Sequence, residues 1–205
     1  MNRRLLMVLG VLLASSAALA EEKAPEFSGP QVGEKLPPFT TRQALGDQAG
    51  KEIDLLKMAA GKPVAILFVH EVNRPSVGLA RAIGNYAASR QGDGLTAGVV
   101  FLTADATETT EWLKRASGAL PAGLPLGIST DGPEGPGAYG LNRNVTMTIL
   151  VGKGDKVTAN FALVQPSLQV DGPKIAQAIV DCLGSGQAPT AAELEKLAGP
   201  RRPDR

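Results

Sequence analysis

Residues 61–76, GKPVAILFVHEVNRPS, limit the fold of this chain more than any other stretch. Residues 63–69 are an unbroken apolar run, rich in β-branched side chains and opened by a Gly-Lys-Pro break. With no polar position in it, the run predicts a strand buried on both faces, which needs a layer on either side. It then passes through His70, Glu71 and Val72 into Asn73-Arg74-Pro75-Ser76, where a helix can begin. Asn is a favoured N-cap residue, and Pro is tolerated in a first helical turn. A strand leading into a helix N-terminus is where α/β folds place anions, thiolates and substrates.

The rest of the chain alternates in the same way. Val77, Ala80, Ile83 and Ala87 recur at helical spacing after Ser76. Gly78 and Gly84 weaken that helix by up to about 1 kcal/mol each relative to alanine, so close packing is expected at both. Residues 95–103, LTAGVVFLT, read as a second buried strand. Asp105 with Glu108 then forms a capping-box pattern opening a helix over 106–117, with Trp112 and Leu113 as packing residues. Residues 124–129 are a short strand candidate inside a Gly- and Pro-rich stretch. Residues 147–151 and 156–163 read as a hairpin joined at Gly152-Lys153-Gly154-Asp155. Asp171-Gly172-Pro173 begins a helix that ends at Gly184, with Ile175, Ala178, Ile179 and Cys182 on one face. Upstream, Pro37 and Pro38 keep LPPFT extended, and residues 52–55 form a short alternating strand. Thr190 with Glu193 marks one more short helix within a Pro- and Arg-rich tail over 185–205.

Residues 1–20 carry Arg3 and Arg4, an apolar core and a small-residue end, Ala18-Leu19-Ala20. That is the pattern of a secretory signal cleaved after Ala20, so a periplasmic or extracellular location is expected, with 21–31 as a mobile lead-in. Cleavage removes two of the 21 basic residues and none of the 20 acidic ones, leaving 19 minus 20, or −1. No basic surplus is left to neutralise phosphates, which argues against nucleic acid as a partner. Aromatic residues are 4% of the chain, too few for base-stacking platforms. Cys182 is the single cysteine, so an internal disulfide is impossible. No cysteine follows the cleavage site, which argues against a lipid anchor.

The order of elements, with VGEKLPPFT at 32–40, GKPVAILFV at 61–69, Ala138-Tyr139-Gly140-Leu141 and the GDKV turn at 154–157, resembles the thioredoxin-fold redoxin family. The resemblance is to its exported branch of thiol-disulfide reductases and peroxiredoxin-like proteins. It implies a single α/β domain over 32–184, a central mixed β-sheet flanked by helices. In that family the helix after the buried strand opens with C-x-x-C, because a thiolate at a helix N-terminus is stabilised by the dipole. Laid on the pattern, Asn73 and Ser76 stand at the two cysteine positions and Val72 at the usual tryptophan. Val145, in Asn144-Val145-Thr146, stands at the cis-proline. The peroxidatic Pro-x-x-x-Thr-x-x-Cys pattern is missing too. Neither an amide nor an unactivated hydroxyl can exchange disulfides.

The expectation is therefore a redox-inactive thioredoxin-like protein, without cofactor or metal, that binds a protein or peptide. The expected surface is the rim of Val72, Asn73, Arg74, Pro75, Ser76, Asn144, Val145 and Thr146. Capping competes with binding as the role of Asn73 and Ser76. The alternative is a thiol-disulfide oxidoreductase or peroxiredoxin-like protein working through Cys182 or a separate electron carrier. A third reading is a small-ligand or metal module on His70 and Glu71, although one histidine without a nearby cysteine falls short of metal-ligand spacing. Cys182, on the apolar face of its helix, suits a buried inert thiol. Asp131 and Glu134 are too few for a calcium site.

Overall fold

One mixed sheet of seven strands organises the computed structural model, which describes residues 26–199. In its interior lies β3 (Val64–Val69), with β4 (Thr96–Phe101) parallel on one side and β6 (Met147–Lys153) antiparallel on the other. Beyond β4 come β5 (Leu126–Ser129), β1 (Thr41–Gln43) and β2 (Glu52–Ile53); beyond β6 comes β7 (Lys156–Leu163). The expected hairpin is β6 and β7.

Every residue of β3 is buried. Ala65, Leu67 and Val69 enter one apolar cluster, while Val64, Ile66 and Phe68 enter a second on the opposite face. A period-2 strand delivers alternate side chains to opposite layers, so the unbroken apolar run is explained by two cores. The first is covered by α2 (Arg74–Ser89), α4 (Asp171–Leu183) and α5 (Ala191–Ala198), with Trp112 and Leu113 of α3 (Ala106–Ala116). Trp112 meets Phe101 edge-on at 6.1 Å between centroids. The second is covered by α1 (Leu55–Ala59) and a cluster of Phe39, Phe68 and Tyr139, whose phenol donates to the Pro37 carbonyl.

Several local expectations change. Leu55 begins a helix rather than ending a strand: the Asp54 carboxylate accepts the Leu56 and Lys57 amides, which turns the chain after Ile53. β1 has no apolar residue, yet Thr41 and Gln43 are buried, because β5 on one side and β2 on the other complete its ladder. Asp105 caps α3 through the Thr107 and Glu108 amides, but its own amide goes to Thr103 Oγ1, so the reciprocal half of the box is absent. Close packing holds at Gly84, where an added Cβ would lie 2.4 Å from Pro121; at Gly78 it would meet nothing within 4 Å.

The lead-in is tied down from Ser28 onwards. Ser28 is buried, its Oγ 2.5 Å from Thr148 Oγ1, and Asn160 Nδ2 donates to the carbonyls of Ser28 and Pro30. At the other end, the expected short helix is α5, opened by a full Thr190–Glu193 capping box. It is part of the domain rather than a tail: Leu194 is buried in the first cluster, and Asn85 of α2 donates to the Leu197 carbonyl. The leader reading of residues 1–20 lies outside the described residues.

Candidate functional site

Two backbone bonds bring the halves of the expected rim together. Val69 pairs with Met147 at the end of the β3–β6 ladder, and the amides of His70 and Glu71 both donate to the Thr146 carbonyl, at 3.0 and 3.3 Å. The turn from β3 into α2 therefore lies against residues 144–146. Thr146 is itself held by β7 and the residue after it, its amide donating to the Leu163 carbonyl and its hydroxyl to that of Val164.

Asn73 and Ser76 are tied to each other. Asn73 is the N-cap of α2, its side-chain oxygen accepting the Ser76 amide at 3.0 Å. Ser76 Oγ in return accepts the Asn73 amide at 3.0 Å and lies 2.7 Å from the Glu71 carbonyl, to which its hydroxyl donates. With one proton and two lone pairs, the hydroxyl is engaged as donor and acceptor, and Ser76 is 0% exposed. The position where the resemblance expects a resolving thiol is thus a buried cap.

Burial divides the other expected site residues. Val145 and Thr146 are buried, 2% and 7% exposed, so neither they nor Ser76 present a side chain to a partner. Val72, Arg74, Pro75 and Asn144 are exposed, and Asn73 is half-buried. Val72, 45% exposed, is an apolar side chain left at the mouth of the turn.

His70 is engaged within the protein. Its Nε2 lies 2.8 Å from Thr148 Oγ1, which is linked to Ser28 Oγ, which accepts the Asn142 amide. Burial pushes its pKa down to about 4, favouring the neutral ring. Among the described residues no group of three or more His, Cys, Asp and Glu side chains could hold a metal ion. Glu134, weighed above as a cation ligand, is paired with Arg143. The Ser28–Thr148–His70 chain was not visible in the sequence beyond one hint: a threonine inside the apolar run of β6 needs a buried partner.

Cys182 is 7% exposed, its thiol 3.2 Å from the Gly152 carbonyl, and burial raises its pKa. Gly152 and Thr146 are six positions apart along β6, or about 20 Å of strand. The thiol and the rim therefore lie at opposite ends of the sheet, and Cys182 cannot act at that rim.

No family model matches this chain, and no curated protein matches its sequence. Solved structures do match in shape. One is a protein from Chlorobium tepidum assigned as a thiol:disulfide interchange protein DsbE, with a TM-score of 0.59 at 20% identity, covering 75% of this chain and 99% of that one. A second, from Bacteroides thetaiotaomicron and assigned as a protein disulfide isomerase, has a TM-score of 0.59 at 18% identity, covering 78% and 95%. A third is Peroxidoxin BcpB from Mycobacterium tuberculosis, with a TM-score of 0.53 at 13% identity, covering 75% and 96%. At these identities the likeness is one of fold: the sheet and its helices are thioredoxin-like, as the resemblance implied.

Proposed function

From a thioredoxin-like fold that lacks paired thiols, we propose an exported, redox-inactive protein that binds a polypeptide segment. The binding rim is Val72, Asn73, Arg74, Pro75 and Asn144. The observation that carries this reading is the reciprocal Asn73–Ser76 capping box, which replaces a redox pair by a structural lock. The lock keeps the helix N-terminus and its neighbouring loop in a fixed arrangement, and an exposed apolar side chain remains beside them. A preformed rim of this kind loses little entropy on binding. Export rests on residues 1–20, whose pattern is that of a cleaved leader.

The test uses the protein recovered from the exported fraction. Its N-terminus, read by mass spectrometry, is expected at Glu21. Insulin-reduction and peroxide-consumption assays are expected to be flat for this protein and for Cys182→Ser alike. A photo-crosslinking amino acid at position 72 is expected to yield a discrete polypeptide adduct. The same group at exposed position 58, on α1 before β3 begins, is expected to yield none. Turnover abolished by Cys182→Ser, or no adduct from position 72, overturns the reading.

A further inference from the structure

A groove of about 1030 Å³ runs along α2, flanked by the end of α3 and by α5. It begins at Arg74 and Pro75, on the rim, passes Gly78 and reaches Arg81, with Arg115 and Glu195 on its walls. Three features of it are unexplained by folding. Arg81 Nε is buried with no hydrogen-bond partner, and buried polar groups are otherwise almost always satisfied. Gly78 sits in the body of α2, where glycine is the poorest helix former after proline. Neither backbone nor packing requires it: its φ is not positive, and an added Cβ would meet nothing within 4 Å. What its missing side chain does is keep the groove open. Beyond the rim the lining is also net positive, with Arg81 and Arg115 against Glu195.

We propose that this groove takes an acidic, extended segment of the polypeptide partner, with a carboxylate side chain seated on Arg81. The proposal rests on the peptide-binding reading of the rim and adds the partner's chemistry. Charge complementarity selects an acid, and the planar guanidinium matches a carboxylate. Seven helical positions separate Arg74 from Arg81, about 10 Å at ~1.5 Å per residue. An extended chain crosses that span in about three residues. The carboxylate therefore belongs about three residues from the part of the partner that touches Val72 and Arg74. Gly78, beneath that crossing, allows the bound chain to approach the helix backbone.

The probe is a displayed library of random peptides of roughly twelve residues, selected against the exported protein. Enrichment of Asp or Glu is expected, with binding weakened about tenfold or more at high salt. Selected peptides are expected to lose about 30-fold or more in affinity to Arg81→Gln, the cost of removing one partner of a shielded charge pair. Gly78→Leu, which fills the groove, is expected to abolish binding, while Gly78→Ala retains most of it. Circular dichroism melts of the variants confirm that each is folded. Selected peptides without acids, or peptides indifferent to both Arg81→Gln and Gly78→Leu, overturn the groove assignment and leave the rim standing. Failure to select any peptide overturns both.

Discussion

His70 offers the sharpest single test of the structure, because it is the single histidine and its titration can be followed without overlap. Its ring closes a hydrogen-bond chain: the Asn142 amide donates to Ser28 Oγ, and the Ser28–Thr148 and Thr148–His70 Nε2 bonds are both satisfied when each hydroxyl donates onward towards the ring. That direction of donation fits a neutral ring with its lone pair at Nε2. Protonation would place a second donor against Thr148 and charge a buried ring, and burial already holds the pKa at about 4. In the unfolded chain the value is about 6.5. The gap sets a ceiling of about 3 kcal/mol, and the ring's remaining contact with solvent reduces it to ~1–2 kcal/mol. The sign follows from linkage. The folded base has the lower pKa, so the unfolded chain takes up its proton first as pH falls. The contribution is complete above about pH 6.5 and is lost as pH falls towards 4. Two measurements check this. The ring-proton NMR signal of His70 should titrate with a midpoint near 4. In urea unfolding, the difference in stability between wild type and His70→Gln should shrink by ~1–2 kcal/mol between about pH 7.5 and 4.5. Gln keeps an acceptor for Thr148 and does not titrate, so carboxylate effects common to both proteins cancel. A midpoint above about 6, or a difference independent of pH, would refute the buried arrangement.

Three further outcomes follow from α2. Gly84→Ala should destabilise by ~1–3 kcal/mol, since its Cβ would stand 2.4 Å from Pro121. Gly78→Ala, in the same helix, should stabilise by up to ~1 kcal/mol, because nothing lies within 4 Å; thermal melts of equal or reversed sign would contradict the packing on that helix. Ser76→Ala should cost ~2 kcal/mol in urea unfolding, because it leaves the Asn73 amide and the Glu71 carbonyl without their partner. A loss under ~0.5 kcal/mol would mean that the hydroxyl is not the cap described.

Where hydropathy and cap chemistry are local, they were legible. β3, β4, the β6–β7 hairpin, α4 and α5 all sit within a residue or two of the spans expected from apolar runs, turn residues and Thr190–Glu193. The exceptions are places where a non-local partner decides. β1 is three polar residues that become a strand through β2 and β5. Ser28 looks like part of a solvated lead-in until Thr148 is placed opposite it. Gly78 and Gly84 are indistinguishable along the chain and differ only in what faces them.

The candidate site divides in the same way. The chain by itself determined that Asn73 and Ser76 occupy a strand-to-helix junction and that neither can perform sulfur exchange, because those are statements about residue type and local order. It also determined that Cys182 lies on an apolar helix face. Only the tertiary structure decided that Val145, Thr146 and Ser76 are buried while Val72, Arg74 and Asn144 remain open, and that the thiol lies at the far end of β6. It alone brought Arg74, Gly78, Arg81 and Arg115 to one groove. The physical reason is that a capping bond or a buried strand is specified by neighbours a few residues away. A surface, by contrast, is made of whatever the packing of distant elements leaves uncovered.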